Sequence, residues 1–180
     1  MDLKHHFLLA MPGLVGDYFA DSLTFICEHN EEGAMGIIVN RASDMSLLEL
    51  FAQLGLPDDR RWVETAVLEG GPVGAERGMV LHTDDCRFES SAELGRGLCL
   101  STAIEVLDAI ASGNAPQRFL VALGYAGWGP GQLENEIANN VWLTADATQA
   151  VLFHDVLSEK LNLAGQILGI DLRLIAARPG

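Results

Sequence analysis

Hydrophobic positions fall along the chain in short runs broken by turn formers, and the spacing within each run predicts its conformation. Phe7 to Met11 is apolar, lacks helical caps and is closed by Pro12-Gly13, which predicts a strand. Leu23 to His29 and Ala34 to Asn40 predict two longer strands. Asn30-Glu31-Glu32-Gly33 joins them as a four-residue hairpin loop, with the glycine supplying its left-handed residue. Ser46-Leu47-Leu48-Glu49 is a capping box, and Leu47, Leu50, Phe51 and Leu54 repeat at helical spacing until Gly55 and Pro57 stop the pattern. Ala66 to Leu68 runs into the turn Glu69-Gly70-Gly71-Pro72, and Gly78 to His82 predicts the returning strand, with shorter strands around Phe88 and over Leu98 to Leu100.

The second half repeats these devices. Thr102-Ala103-Ile104-Glu105 is another capping box, opening a helix through Ile104, Leu107 and Ala111 that stops at Gly113. Phe119 to Leu123 predicts a central strand that ends in a glycine-rich loop, Gly124 to Gly131, followed by a helix through Leu133 and Ile137. Val141 to Thr144 reads as strand or turn. A helix follows from about Ser158 through Leu161, Ala164 and Leu168 to Gly169, then a last apolar segment, Leu172 to Ile175. Hairpins mixed with helices, without strict alternation, predict an α/β (α+β) protein with a mixed sheet. With no repeat or low-complexity linker, the expectation is one domain over residues 1–180.

Charge narrows the function classes. The 25 acidic and 11 basic residues leave a net charge of -14, which repels phosphate backbones and anionic lipid alike. The bases are scattered, apart from Arg60-Arg61 in an acidic loop, so no basic stripe exists for a nucleic-acid groove. Neither direct nucleic-acid binding nor membrane association is expected. The three cysteines, Cys27, Cys86 and Cys99, form no CxxC pair and fit a reducing cytoplasm. The apolar run near the amino terminus is too short for a signal peptide, and no stretch approaches the length of a membrane span.

Candidate chemistry is sparse. Cys27 and His29 sit at i and i+2 of a strand, about 6.6 Å apart on one face, which would allow a histidine-paired thiolate. That face also carries Leu23 and Phe25, and the bland reading, a cysteine buried as a small hydrophobe, outweighs the reactive one. Cys27, His29, His82, His5 and His6 have no standard ligand spacing, so neither a metal nor any other cofactor is expected. No lysine followed by serine or threonine makes the glycine-rich loop a P-loop, and Glu134 and Glu136 already occupy the start of the helix behind it. Asn40-Arg41 and Arg77 offer polar groups near strand ends, where an arginine fork suits a carboxylate or merely pairs with Glu28, Glu69 or Glu76. No serine stands in a GxSxG elbow, and Asp58-Asp59 and Asp84-Asp85 read as solvated loop acids.

Several of these runs occur together in a known order. His6-Phe7-Leu8-Leu9-Ala10-Met11-Pro12, Cys27-Glu28-His29-Asn30, Gly33 through Arg41, Gly70-Gly71-Pro72-Val73, Arg77-Gly78 with Leu81-His82, and Leu123 through Trp128 with Gly131-Gln132-Leu133-Glu134 span nearly the whole chain. The ordered set resembles the AlgH/YqgE family. The resemblance implies a single compact domain of mixed α/β structure around a strongly curved, barrel-like mixed sheet, in the bacterial cytoplasm, without an established enzyme activity. The family's usual label, transcriptional regulator, implies nothing about direct DNA contact. Departures from its pattern are Ala42 where proline is common, Leu161 in place of a tryptophan, and a terminus at Gly180 in place of Gly-His-Ala. No catalytic residues carry over.

Two readings of function follow. The first is a non-enzymatic regulatory protein that binds a protein or small molecule through Glu28, Asn40, Arg41, Arg77, His82 or Trp128, with self-association open. The rival is a thiol- or metal-assisted hydrolase using Cys27 and His29, with His82 in support. A further variant is an acidic regulator that meets nucleic acid only inside a larger complex.

Overall fold

The computed structural model describes residues 1–13, 17–57, 60–102, 104–172 and 174. In chain order the elements are β1 (His6–Ala10), β2 (Leu23–Asn30), β3 (Gly33–Ile38), β4 (Ala42–Ser46), α1 (Leu47–Gln53), β5 (Ala66–Glu69), β6 (Val73–Thr83), β7 (Ala92–Gly95) and β8 (Leu98–Ser101). They continue with α2 (Ile104–Ala111), β9 (Phe119–Trp128), α3 (Gln132–Ala138), β10 (Trp142–Asp146), α4 (Gln149–Leu152) and α5 (Lys160–Ile167). Short 3-10 turns cover Arg60–Trp62 and Leu157–Glu159. The class is mixed α+β, as hairpins interspersed with helices predict, and the parallel pairing of β5 with β9 makes the sheet mixed. The chain folds as two compact units, one from Met1–Arg41 with Ala126–Gly180, the other from Ala42–Tyr125.

In the first unit the strand order is β10-β1-β2-β3, followed by the last residues of β9, all antiparallel. The β2–β3 hairpin is tighter than its sequence predicts. Asn30 pairs directly with Gly33, so only Glu31 and Glu32 form the connection. Gly33 sits at φ +136, where a Cβ would stand 2.1 Å from the Trp128 carbonyl oxygen. No other residue fits that approach of two backbones. One core packs Leu3, Leu8, Ala10 and Ile26 of the amino-terminal strands with Ala126, Trp128, Leu133 and Trp142. Helix α5 packs on β1, β2 and β10, but its buried face differs from the predicted Leu161, Ala164 and Leu168 stripe. Lys160, Ala164 and Gly165 are buried and Leu168 is exposed.

The second unit orders β9-β6-β8-β7, with β5 parallel to β9 and β4 antiparallel to β5. The capping box of α1 forms as the sequence predicts: Ser46 Oγ accepts the Glu49 N–H at 3.1 Å, and Glu49 Oε1 accepts the Ser46 N–H at 3.4 Å. Leu47, Leu50 and Phe51 of this helix meet Val67, Val80, Val106, Leu107, Ile110 and Val121 in a second core. The predicted face of α2 shifts, because Ile104 is 55% exposed while Val106 and Ile110 are buried.

Two other expectations need correction, and three short elements are without one. The segment after Leu123 is not a loop: β9 continues to Trp128. Gly124 (φ +80) serves a close backbone approach, since a Cβ there would lie 2.4 Å from Gly71 O. Phe88 is not in a strand but in a turn closed by Ser91 N–H to Phe88 O at 3.0 Å. Strands β4 and β7 and the one-turn helix α4 carry no predicted counterpart, being too short and too polar for a periodic signal. The predicted second capping box depends on residue 103, the predicted loop acids are Asp58-Asp59, and the predicted last apolar segment depends on residues 173 and 175. All of these lie outside the described residues.

Candidate functional site

The strand bearing Cys27 does not keep simple alternation. A register shift between Ile26 and Glu28 places Cys27 in a β-bulge, and a bulge re-aims the side chains that follow it. Cys27 is 1% exposed and directs Sγ to Phe25 O at 3.9 Å. Burial, reinforced by the Glu28 charge, pushes its thiol up to about 12. Cys86 and Cys99 are also shifted upward, burial being the first cause in each. A thiolate nucleophile needs the opposite environment.

His29 turns away from the thiol. Its Nδ1 accepts the backbone N–H of Leu3 at 2.9 Å, and its Nε2 meets Glu134 Oε1 at 2.5 Å. A backbone N–H can only donate, so the proton of the neutral ring lies on Nε2 and points at the carboxylate. His29 therefore ties the amino terminus and β2 to α3.

Asn40 and Arg41 hold the connection between β1 and β2. Asn40 Oδ1 accepts the Leu23 N–H at 2.9 Å, and its Nδ2 donates to Asp21 O at 3.0 Å. Arg41 donates from one terminal nitrogen to Ala20 O at 3.2 Å, and its guanidinium lies 5.0 Å from the centre of the Tyr18 ring. In the same connection Asp21 takes φ +60, a left-handed conformation that aspartate tolerates better than most residues. Phe19 seats this loop against Trp128 and Trp142, with ring centres 6.3 and 5.5 Å away. Glu136 Oε1 accepts both indole N–H groups, each at 3.0 Å.

In the second unit His82 is wholly buried. Its Nδ1 donates to Thr83 O at 2.8 Å, because a carbonyl can only accept, which leaves Nε2 to accept from Ser101 Oγ at 2.7 Å. The relay continues: Ser101 Oγ accepts from Ser91 Oγ at 2.7 Å, and Ser91 Oγ accepts the Phe88 N–H at 2.9 Å. Every member is satisfied in one direction. Arg77 lies exposed in the irregular stretch of β6 between Val73 and Gly78.

Among the described residues, the first unit borders at least two cavities. The shallower, about 220 Å³, is bordered by Glu28, Asn30, Glu32, Met35 and Trp128. The deeper, about 360 Å³, is lined by Asp21 and Asn40 together with Ser158, Leu161, Asn162 and Leu172. The sequence candidates thus separate: Glu28 and Trp128 border one cavity, Asn40 the other, and Arg77 and His82 belong to the second unit. Among the described residues no three histidine, cysteine, aspartate or glutamate side chains converge as a metal set. Nor, among those residues, is any helix long and apolar enough to cross a membrane.

Comparison with known proteins decides the family. The AlgH-like family profile matches residues 7–173. The chain belongs to the AlgH-like family. It is 45% identical to the UPF0301 protein AlgH of Pseudomonas aeruginosa, over 99% of this chain and 95% of that protein. It is 41% identical to a UPF0301 protein of Nitrosospira multiformis, over 100% of this chain and 97% of the relative. The solution structure of Pseudomonas aeruginosa AlgH superimposes with a TM-score of 0.83, covering 100% of this chain and 96% of that one. A Corynebacterium diphtheriae protein with 20% identity and a TM-score of 0.65, covering 98% of this chain and 87% of that one, shares the fold.

The AlgH-like chain also carries functional-looking residues that sequence reasoning passes over. Lys160 is 0% exposed, and its Nζ donates to Val39 O at 2.9 Å and Leu152 O at 2.8 Å. Burial lowers its pKa to about 8, against a smaller upward pull from Asp155. Lys160 is one of only two lysines in the chain, the sole hint that its charge is not ordinary surface decoration. Asp21, Ser158 and Asn162 are polar loop or helix residues in the sequence, with nothing to mark that they share a cavity wall.

Proposed function

We propose that this AlgH-like chain is a cytoplasmic, non-catalytic regulatory protein that works by binding a small-molecule or protein partner and does not itself contact nucleic acid. The observation that carries the reading is the cavity at Asp21, Asn40, Ser158 and Asn162, of a size and mixed lining suited to a small molecule. The chemistry that would favour a hydrolase points elsewhere. Cys27 is walled into the core with its thiol raised to about 12, and the nitrogens of His29 and His82 are committed to hydrogen bonds. The net charge of -14 opposes phosphate backbones, so any effect on transcription would pass through the bound partner.

Native mass spectrometry on protein purified gently from its own cell extract tests this reading. The expected result is a retained small molecule or a stoichiometric partner that is released under mild activation. A clean mass of the chain alone, unchanged after incubation with fresh extract, would count against it. Tight, salt-sensitive binding to bare duplex DNA would overturn the exclusion of nucleic acid.

A further inference from the structure

We propose that the deeper cavity of the first unit takes a small organic cation, a protonated amine that also carries a hydroxyl group and a compact apolar face. The assignment rests on the binding reading above and names its ligand class.

The sign of the charge comes from Asp21. Among the described residues that line the cavity it is the charged one, and its side chain is exposed. Its backbone, by contrast, is held firmly. Asn40 donates to Asp21 O at 3.0 Å while accepting from Leu23 N at 2.9 Å, and Ser22 N–H donates to Phe19 O at 3.0 Å. The φ of +60 at Asp21 is a left-handed turn conformation that aspartate and asparagine adopt more readily than other non-glycine residues. Asp21 thus borders the cavity from a fixed backbone with its side chain exposed, a position from which the carboxylate can make a charge-assisted contact with a cation. Lys160 does not reverse the sign, because it is not part of the wall and its ammonium is directed at Val39 O and Leu152 O.

The rest of the lining sets the remaining features. Ser158 and Asn162 offer a hydroxyl and an amide that can each donate or accept, which suits a hydroxyl on the ligand. Leu161, Leu172 and Pro12 supply an apolar wall. A volume of about 360 Å³ lies near the lower end of small-molecule sites. The overall charge of -14 raises the local concentration of cations and disfavours anionic metabolites before contact.

Phenylglycinol, with one ammonium, one hydroxyl and a phenyl ring, is a suitable probe, and styrene glycol is its neutral counterpart. Each is titrated into the full chain by heteronuclear NMR, with wild type, Asp21→Asn and Ser158→Ala. Asparagine accepts the left-handed conformation, so Asp21→Asn keeps the fold and its spectrum away from the cavity is expected to be unchanged. The expected result is amide shifts at Asp21, Asn40, Ser158 and Asn162 with phenylglycinol. Asp21→Asn and the glycol should each weaken binding at least tenfold, and Ser158→Ala less so. Equal affinity for the glycol, indifference to Asp21→Asn, or shifts scattered over the acidic surface would overturn the assignment. Should native mass spectrometry find a retained neutral or anionic molecule while phenylglycinol causes no shifts at millimolar concentration, the cation assignment falls and the binding reading stands.

Discussion

Replacing Lys160 by methionine tests whether its burial is felt by the whole fold. The folded pKa of about 8 lies below the ordinary lysine value of 10.5, so between these limits the unfolded chain holds more protons than the folded one. Stability must then rise with pH across that window, and the cost of keeping the ammonium buried is in full force below it. The full difference corresponds to about 3 kcal/mol, and the part released between about pH 7 and about pH 9.5 is about 2 kcal/mol. Other groups titrate in the same range. The raised thiols of Cys27, Cys86 and Cys99 act in the opposite sense, since they stay protonated in the folded chain where free thiols ionise. Lys160→Met shares those groups, so the difference between the two proteins isolates the lysine. Urea denaturation of both at the two pH values is the assay. Wild type should gain about 2 kcal/mol on Lys160→Met as the pH is raised. The absolute stability of the variant is a poorer guide, because methionine removes the buried charge but leaves Val39 O and Leu152 O without their donor. A gap between the two proteins that does not change with pH would refute the reasoning.

Other outcomes follow from single contacts. Gly33→Ala should cost about 2 kcal/mol or more in urea denaturation, because its Cβ would lie 2.1 Å from Trp128 O in a backbone conformation at φ +136. Glu136→Ala strands the N–H groups of two nearly buried tryptophans, and a loss of about 2 to 4 kcal/mol with a shift in tryptophan emission is expected. An unchanged emission spectrum would place the indoles elsewhere. Cys27 should resist alkylation in the native protein at neutral pH and react once urea unfolds the chain, as mass spectrometry of the labelled peptides would report.

The elements legible in the sequence are those whose signal is local. Ser46 and Glu49 mark a helix start with their own side chains, and the β2–β3 hairpin is announced by two apolar runs around Gly33. Gly124 is ambiguous in the sequence because glycine is equally a loop residue and a place where backbones approach, and only the position of Gly71 O decides between them. The alternation that would pair Cys27 with His29 fails at a bulge, which no periodicity reveals. Lys160 defeats the rule that lysine is exposed, its acceptors being carbonyls at positions 39 and 152 that no pattern could point to. The cavity is the least legible feature. Asp21 and Asn40 lie more than a hundred residues from Ser158 and Asn162, and their meeting is a property of the fold alone.

The division of the chain at Arg41 and Ala126 bears on how the protein is made. The second unit is one uninterrupted stretch, Ala42–Tyr125, whereas the first is assembled from the two ends. A ribosome delivers β1, β2 and β3 first, yet the strand that pairs with β3, Ala126–Trp128, emerges only after the whole intervening unit. On the nascent chain β3 therefore waits for its β9 partner until the whole stretch Ala42–Tyr125 has been made. That waiting edge, Gly33–Ile38, carries no charge of its own, and the acidic residues nearest to it in sequence are Glu28, Glu31 and Glu32 of β2 and its turn.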